Sequence, residues 1–389
     1  MNLFLQSLSD YFKRTDLILW LLTLSAVVYS FLLILSMQRA GDYNYLRTQL
    51  IAVISGLIAA VIISLADYRF LIKKWYFAAL LAAAAALSVF VFGMRVSGTD
   101  DTAWIVLPGG ITVQPSEFIK ICFMITLSKH LSYLREKDRL KSVGGVISLA
   151  LHAVVPMAVI HLQGDDGAVL IFAFIFLIMS FVAGIQLRYF AISGGLLLTG
   201  IPVLWRFFLN DEHRSRIMAL FDLDGNAMTN YGWQQYQGKV SIAGGELAGR
   251  GLFNGPRVAL GIVPEQENDF IMTVAGEELG FIGCLILMAI LFGICVLIII
   301  NAAKAFDFRG KCLCAGVFAT IASQTVINIG MVLGFLPVIG ITLPFFSAGG
   351  TSVMSTIICI GLVQSVRGHN SGDMDKAEIR RESLSRIRM

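Results

Sequence analysis

Apolar residues occur along the chain in long blocks, and polar residues collect in the short segments between them. A helix needs about 20 predominantly apolar residues to cross a bilayer, and most of the blocks reach that length. We identify ten candidate spans. They are residues 17–37, 48–66, 75–94, 115–134, 143–161, 167–184, 189–209, 270–300, 312–335 and 350–366. The block at 115–134 is the weakest, because Glu117, Lys120 and Lys129 interrupt it.

Composition supports the same interpretation. Of the 389 residues, 57% are hydrophobic and 14% are charged, and the mean hydropathy is +0.77. A soluble domain usually carries about 25% charged residues. Backbone groups inside a bilayer must be paired within the protein, which favours helices. The sequence therefore predicts an all-α polytopic membrane protein, with about ten transmembrane helices in a single membrane domain over residues 1–389.

Basic residues are distributed unevenly between the two sides of the predicted membrane domain. If the N-terminus lies inside, most Lys and Arg residues fall in inner segments, and the short outer loops hold only Arg39, Arg47 and Arg95. Lys and Arg in short loops remain cytoplasmic, so both termini are expected in the cytoplasm. The net charge of +4 follows from this topology, and no nucleic-acid-binding motif is visible.

One outer segment, residues 210–269 between the seventh and eighth spans, is much longer than the other outer loops. Loops of this length are usually functional or disordered. The segment contains aromatic residues, glycines and the apolar stretch GRGLFNGPRVALGIV, which are not typical of a disordered tether. We expect a partly folded cap over a membrane-embedded cavity. The polar tail at 368–389 is expected to be mobile.

Acidic residues stand where the eighth span begins, in the stretch VPEQENDFIMTVAGEELGFIG at 263–283. Asp269 lies at the predicted outer boundary and suits either a helix N-cap or a site for a polar ligand, and Asn268 suits the N-cap equally well. On a helix, Asp269 and Thr273 share one face, with Glu277 beside it. This pattern by itself does not fix the chemistry.

Two further polar groups lie at predicted outer ends of spans. In QPSEFIK at 114–120, Glu117 and Lys120 are three residues apart and can pair on one face of a helix. Charges inside a span are costly and are commonly functional, so the pair is either structural or part of a polar cavity. In QGDDG at 163–167, Asp165 is either a turn residue or part of the same site.

These stretches together resemble the SEDS family (shape, elongation, division and sporulation), which includes RodA-type and FtsW-type proteins. The matching blocks, in family order, are TAWIVLPGG, VQPSEFIKI, QGDDGA, PEQENDFIMTVAGEELGF and INIGMVLGFLPVIGITLPFFSAGGTS, and they extend over 95–366. The spacing of GLFNGPRVALGIVPEQ favours the RodA type. The chain departs from the family where an Asn-Gly-Ala-Arg-Arg-Trp block reads SGTDDTAW.

The resemblance implies a peptidoglycan glycosyltransferase that polymerises lipid II at the outer face of the bacterial cytoplasmic membrane. Asp269 matches the essential Asp of the family and is the expected catalytic base. The residues expected to line the substrate cavity are Glu117, Lys120, Trp104, Asp165, Gln114 and Glu277. The diphosphate leaving group needs cations, and the candidates in the long loop are Arg214, Arg216, Lys239, Arg250 and Arg257. Of these, Arg216 and Lys239 are counted among the expected substrate contacts. No cofactor is implied for certain; a divalent cation is left open, and no residue is nominated as a metal ligand.

Two other function classes stay open. A lipid II flippase would also use polar residues within spans, although a transporter is expected to show interrupted helices, a site near the midplane and an inverted repeat. A scaffold without activity would only anchor a partner enzyme. The resemblance implies a class B penicillin-binding protein as partner, besides lipid II and membrane lipids. Its expected docking surface is on spans eight and nine, near Ala289 and Gly293.

Overall fold

The structure is a computed structural model that describes residues 11, 13–40, 45–94, 102–107, 112–208, 211–221 and 232–387. Apart from one short hairpin, the regular elements within these ranges are helical. In chain order they are α1 (Leu17–Ala40), α2 (Tyr45–Leu65), α3 (Tyr68–Lys73), α4 (Trp75–Phe92), β1 (Ile105–Val106), β2 (Thr112–Val113), α5 (Pro115–Glu136), α6 (Val143–Leu162), α7 (Asp166–Ala183), α8 (Leu187–Val203), a π-helical turn (Leu204–Phe208), α9 (Asp211–Met218), α10 (Trp233–Gly244), α11 (Pro256–Ala259), α12 (Ile271–Lys304), α13 (Phe308–Val332) and α14 (Thr351–Ile387).

Nine helices within the described ranges are long and apolar enough to cross a membrane. They correspond to nine of the ten predicted spans, with ends that differ by a few residues. The remaining predicted span, at 115–134, forms α5, a helix of 22 residues that is less apolar because of its charges. The prediction of an all-α polytopic membrane protein is confirmed, and α5 supplies a tenth helix of spanning length in the described part of the chain.

The charges of α5 are tolerated because this helix lies inside the helix bundle. It packs against α4, α7, α13 and α14. Glu117 and Lys120, near its N-terminal end, are almost fully buried. At its C-terminal end, the guanidinium carbon of Arg135 lies 4.2 Å from the centroid of the Phe308 ring. Since protein rather than lipid surrounds α5, polar groups on this helix can find partners.

α12 is interrupted at Gly280, where φ is 68° and ψ is −160°. This conformation is essentially restricted to glycine. The loop between α8 and α12 is the predicted outer loop, and we keep that name for it. Its residues 246–251, which we call the docking segment, pair with the helical backbone groups on both sides of the break. On one side of the break, the N–H groups of Arg250 and Gly251 donate to the carbonyl oxygens of Glu277 and Glu278, both at 2.9 Å. On the other side, Phe281 N–H donates to Glu246 O at 2.9 Å and Ile282 N–H donates to Leu247 O at 3.1 Å. The backbone groups that the break leaves without helical partners are thus paired within the protein. Irregular backbone at membrane depth requires such pairing.

The outer loop between α8 and α12 is folded over its described residues. It contains α9, α10 and α11, and α10 packs along α12. The side-chain amide of Gln235 donates to the carbonyl oxygens of Met331 and Leu336 at 2.9 and 2.6 Å, which ties α10 to the end of α13. The loop is therefore folded, as expected, at 211–221 and 232–269, and the rest of it lies outside the described residues. That it covers a cavity stays a prediction.

The C-terminal region continues the last span as a helix. The last predicted span ends at residue 366, but α14 continues without interruption to Ile387. The sequence DKAEIRRE at 375–382 is rich in residues with high helix propensity. These residues favour continuation of the helix once the preceding span has nucleated it.

Candidate active site

Asp269 lies in the turn at 264–270, immediately before the N-cap of α12. The N-cap is Phe270, which makes no capping hydrogen bond with its side chain, so the interpretation of Asp269 or Asn268 as the cap is wrong. Asn268 instead donates its side-chain amide to Glu265 Oε2 at 2.8 Å. Asp269 is also outside the helix, and therefore it does not belong to the helical face that contains Thr273.

The surroundings of Asp269 favour its protonated form. Burial is the largest effect, the charges of Glu265 and Glu267 act in the same direction, and the charge of Arg216 opposes them. Together they raise the pKa of Asp269 to about 7. A general base works best when its pKa lies near the operating pH. Asp269 is thus more basic than an ordinary aspartate and still ionised in a large share of molecules at neutral pH.

The loop at 334–350, which connects α13 to α14, runs beside the Asp269 carboxyl. A Cβ placed on Gly340 would lie 3.6 Å from Asp269 Oδ2, and Gly340 has a φ of 74°. Phe345 and Phe346 are fully buried and anchor the loop in the bundle. Because Gly340 carries no side chain, space for about one methyl group remains between the loop and the Asp269 carboxyl.

Two of the candidate cations for the diphosphate, Arg216 and Lys239, lie against this loop. Arg216 donates from Nη1 to the carbonyl oxygen of Val338 at 3.1 Å, and its charge lowers the pKa of Asp269. Lys239 is exposed on α10, and its ammonium lies beside Gly334, just beyond the C-terminal end of α13. A cation is favoured at that end of a helix dipole. Of the two, Arg216 is the one whose charge acts on Asp269.

A second polar cluster lies at the N-terminal ends of α5 and α7, around Asp165. Asp165 caps α7, because its Oδ1 accepts the Ala168 N–H at 3.0 Å. Its Oδ2 accepts from Gln114 Nε2 at 2.7 Å and from Ser116 Oγ at 2.8 Å. Burial raises the pKa of the Asp165 carboxyl above its usual range, although these donors and the Lys120 ammonium oppose the shift. Asp165 is therefore both a cap and the centre of a polar cluster.

Glu117 and Lys120 form the ion pair that their spacing predicts. Lys120 Nζ lies 2.8 Å from Glu117 Oε1, and the two side chains are 7% and 3% exposed for Glu117 and Lys120. Ser355 of α14 donates to Glu117 Oε2 at 2.5 Å. The pair is thus desolvated, and its remaining acceptor is satisfied by a neighbouring helix.

The loop at 334–350 lies between the two clusters. On one side Gly340 adjoins Asp269, as described. On the other side, a Cβ placed on Gly167 of α7 would lie 3.0 Å from the Ile339 carbonyl oxygen. The Asp269 and Asp165 clusters are therefore separated by a single stretch of loop backbone. They offer a base, a cation and several hydrogen-bonding groups at the same end of the bundle.

Trp104 belongs to the hairpin between α4 and α5, in which β1 pairs antiparallel with β2. Trp104 forms a β-bridge with Met94, and the nearby Thr102 N–H donates to the Gln163 carbonyl oxygen at 3.2 Å. The hairpin is thus attached to the turn that leads into Asp165. The structure places Trp104 on the side of the Asp165 cluster.

Glu277, which is expected to line the cavity, accepts hydrogen bonds from the loop between α8 and α12. Its Oε1 accepts the Arg257 N–H at 2.7 Å and its Oε2 accepts the Val258 N–H at 3.1 Å, at the start of α11. The Arg257 side chain donates in turn to Ser241 Oγ and Gln237 Oε1. Glu277, only 1% exposed, therefore holds the outer loop onto α12.

Three hydroxyl groups in these clusters were not identified from the sequence. Ser116 and Ser355 contact Asp165 and Glu117, and Tyr45 of α2 donates its hydroxyl to Glu267 Oε1 at 2.6 Å. Hydroxyl side chains in helices often bond only to their own backbone, so their presence gave no signal. Among the residues that the structure describes, no group of three or more His, Cys, Asp and Glu side chains is placed to hold a metal ion.

The fold and the site together define a polytopic helical membrane protein that carries a carboxyl of raised pKa, Asp269, at one end of the bundle. The family model FTSW_RODA_SPOVE, described as "Cell cycle protein", matches residues 13–372. The chain belongs to this family, and the family expected from the sequence is confirmed.

Curated relatives align over nearly the whole chain. The probable peptidoglycan glycosyltransferase FtsW of Geobacter metallireducens is 30% identical over 371 residues, which cover 92% of this chain and 96% of the relative. The peptidoglycan glycosyltransferase MrdB of Escherichia coli K12 is 29% identical over 350 residues, which cover 90% and 92%. The enzyme class predicted from the sequence matches these names. The relatives do not separate the RodA type from the FtsW type.

Solved structures share the fold. One is a chain from "Structural coordination of polymerization and crosslinking by a peptidoglycan synthase complex", with a TM-score of 0.75 and 24% identity over 92% of this chain and 98% of that chain. Another is the crystal structure of the rod shape determining protein RodA of Thermus thermophilus, with a TM-score of 0.64 and 24% identity over 91% and 96%. At this identity the likeness establishes the fold.

Proposed function

We propose that the chain is a peptidoglycan glycosyltransferase that polymerises lipid II into glycan strands at the outer face of the bacterial cytoplasmic membrane. The observation that carries the proposal is the Asp269 carboxyl, whose pKa is raised to about 7 at the end of a membrane-spanning helix. The names of the relatives support the reaction class. A lipid-linked sugar substrate requires a polar site at the membrane boundary, which is where Asp269 lies.

In this proposal Asp269 is the general base. A hydroxyl of the acceptor sugar attacks the anomeric carbon of the donor glycan, the new C–O bond forms, and the bond to the diphosphate oxygen breaks. Asp269 takes the hydroxyl proton, a contribution typically worth about 10²–10⁴-fold. The lipid diphosphate leaves with the bonding electrons, and Arg216 stabilises its charge. A diphosphate is a good leaving group, so a second carboxylate as in glycoside hydrolysis is not needed.

The Asp165 cluster is the proposed contact for the disaccharide-peptide part of the substrate. Gln114 and Asp165 provide hydrogen-bonding groups on the opposite side of the 334–350 loop from Asp269. The Glu117–Lys120 pair lies one helical turn deeper and fixes α5 against α14. Lys239, exposed beside the same loop, is the second proposed contact for the diphosphate.

The orientation follows from the distribution of basic residues. We propose that the turn at 264–270 and the outer loop face the outside, and that both termini are cytoplasmic, because Lys and Arg in short loops remain inside. The site is then on the side where the wall is assembled. The single domain expected over residues 1–389 is part of the same proposal.

A transporter is the competing function, and the break in α12 is the one observation that favours it, since transporters use discontinuous helices. However, the docking segment 246–251 occupies the freed backbone groups at Gly280. These groups are therefore not available to coordinate an ion. The break also lies nine residues from the start of α12, about 14 Å at 1.5 Å per residue, and so in the half that carries Asp269.

The test is polymerisation of labelled lipid II by the purified protein. We expect polymer from the parent chain and a loss of about 10²-fold or more for Asp269→Asn, because the amide cannot accept the proton. Asp211→Asn is the matched control, since Asp211 is exposed in the same loop and pairs with Arg214, three residues further along its own helix. A folded Asp269→Asn variant that polymerises at the parent rate contradicts the proposed base. Transfer of lipid II across proteoliposomes without polymer supports the flippase.

We further propose that the chain works with a class B penicillin-binding protein, which crosslinks the peptides of the strand. The complex to which the first structural relative belongs, described as coordinating polymerization and crosslinking, supports such a partner. Gly293 is not part of the proposed surface, because a Cβ placed on it would lie 2.9 Å from Leu22 of α1. The proposed surface is the exposed face of α12 formed by Leu285, Ala289 and Phe292.

The partner proposal is tested by co-purification of the two proteins from membranes. Ala289→Trp is expected to reduce recovery of the partner, because a large side chain prevents close helix contact. Leu80→Trp is the control, since Leu80 is exposed on α4 outside the proposed surface. Equal recovery with both variants contradicts docking at α12.

A further inference from the structure

Three consecutive carbonyl oxygens of the turn at 264–270 accept hydrogen bonds from groups outside the turn. The N–H of Ala348 donates to Glu267 O at 2.7 Å. The hydroxyl of Ser347 donates to Asn268 O at 2.5 Å. The side-chain amide of Asn328 donates to Asp269 O at 2.8 Å. The backbone that carries the Asp269 carboxyl is therefore held at every residue from 267 to 269.

Asn328 also holds the opposite wall of the site. It lies in the last turns of α13 and is fully buried, and the same Nδ2 that bonds Asp269 O donates to Ile341 O at 2.7 Å. Ile341 follows Gly340, whose Cβ position is 3.6 Å from Asp269 Oδ2. One amide group thus sets the spacing between Asp269 and the loop backbone that faces it.

Ser347 acts in the same way from the loop. Its Oγ donates to Asn268 O and accepts the N–H of Leu343 at 2.7 Å. Ser347 is fully buried between the turn and the loop. Removal of its hydroxyl would leave the Leu343 N–H and the Asn268 carbonyl oxygen without this partner. The loss of a hydrogen-bond partner is costly for buried groups.

We infer that Asn328 and Ser347 are positioning residues. They hold the Asp269 carboxyl beside Gly340, in the place from which it takes the proton of the acceptor hydroxyl. This inference rests on the proposed function, in which Asp269 is the base. Neither residue contacts the carboxyl itself. They act through the backbone of the turn and of the loop. A displacement of about 1 Å of a catalytic group can cost about 10²-fold in rate.

The chain offers a matched control for Asn328. Asn301, near the inner end of α12, is 3% exposed, and its Nδ2 also donates to two oxygens, Asp16 Oδ2 and Leu297 O, both at 2.8 Å. Asn301→Leu removes the same number of hydrogen bonds from a buried asparagine at the opposite end of α12 from Asp269. It should lower the melting temperature without a specific effect on catalysis.

The experiment measures kcat, KM for lipid II and the melting temperature of purified variants. We expect Asn328→Leu to lower kcat by about 10²-fold and to change KM by less than about threefold, because the lost contacts orient the base rather than bind substrate. Ser347→Ala should lower kcat in the same way, and Ser347→Thr, which keeps a hydroxyl, should restore part of it. Asn301→Leu should retain kcat within about twofold at a comparable loss of melting temperature.

The pH profile provides a readout that general destabilisation does not change. The charged groups that face Asp269 are Glu265 and Glu267 in its own turn and Arg216 from the outer loop. If Asn328→Leu releases the turn, Asp269 becomes more hydrated, and the acid limb of kcat should move to lower pH. The limb of Asn301→Leu should coincide with that of the parent chain.

The outcomes separate the inference from the function on which it rests. Absence of polymer from the parent chain, or full activity of Asp269→Asn, overturns the proposed function. If those two behave as expected but the Asn328 and Ser347 variants keep the parent kcat, only the positioning role is overturned. An equal loss of kcat in Asn301→Leu, with no movement of the acid limb in Asn328→Leu, also overturns it.

Discussion

Removal of the Glu265 charge tests directly whether neighbouring carboxylates raise the pKa of Asp269. Glu265 is exposed in the same turn and is the first of the two carboxylates that raise the pKa of Asp269 after burial. Glu265→Gln removes the charge and keeps an oxygen that can accept from Asn268. A neighbouring like charge commonly shifts a pKa by about 1 unit or more, so we expect the pKa of Asp269 to fall from about 7 towards about 6.

The expected change in rate follows from the ionised share of Asp269. With a pKa of about 7, about one tenth of the molecules carry the base form at pH 6, and a pKa lower by about one unit brings this to about one half. The acid limb of the pH profile therefore moves down by about one unit. The plateau at high pH falls, because a less basic carboxylate is a weaker general base.

The assay is the initial rate of lipid II polymerisation between pH 5 and 9, with the parent chain and Glu265→Gln side by side. Arg216→Gln should shift the acid limb in the opposite direction, to higher pH. The Arg216 cation lowers the pKa of Asp269, so its removal raises that pKa. An acid limb that stays in place for both variants refutes the assignment of that limb to Asp269.

The same raised pKa predicts an effect on stability. Asp269 binds its proton more tightly in the folded chain than in the unfolded one, so stability decreases as pH rises from the ordinary range of an aspartate to about 7. Asp269→Asn removes this dependence. We expect the variant to melt above the parent chain at pH 8 and together with it at pH 4, and equal melting at both values would contradict a raised pKa.

Three further predictions concern the bundle. Lys120→Ala should lower the melting temperature more than the double change of Glu117 and Lys120 to Leu, because breaking a buried pair costs about 3–5 kcal/mol; equal effects would mean a hydrated pair. Gly280→Ala should destabilise the chain by about 1–3 kcal/mol from backbone strain alone, measured by thermal melting, and an unchanged melt would exclude the break in α12. In a background without the six native cysteines, Lys239→Cys should react with an impermeant reagent from outside and Lys137→Cys should not; reversed labelling would overturn the orientation.

The helices and several site residues could be predicted because local signals specify them. Apolar blocks of spanning length gave the spans, and the spacing of Glu117 and Lys120 gave their ion pair. Even α5 was identified, although the charges that weakened its signal are explained only by its position inside the bundle. The family resemblance added Asp269, whose local pattern had equally suggested a helix cap.

The remaining features depend on contacts between distant parts of the chain. Asn328 meets a carbonyl 59 positions earlier in the sequence, and Ser347 meets one 79 positions earlier, so no periodicity reveals them. The polar Asn328 in an apolar span was a usable signal, but its partner was not predictable. The bonds from Glu277 to the backbone N–H groups of Arg257 and Val258, 20 and 19 positions earlier, could not be predicted from the sequence either.

The interrupted helix has a consequence for the order in which the protein is made. In lipid, the unpaired backbone groups at Gly280 would each cost several kcal/mol, so α12 cannot settle in its final shape until residues 246–251 have docked. Those residues precede the break in the chain and lie on the side that carries Asp269. If this loop faces the outside, as proposed above, its translocation must come before the final packing of α12, and a delay would leave the backbone groups at Gly280 unpaired in the membrane.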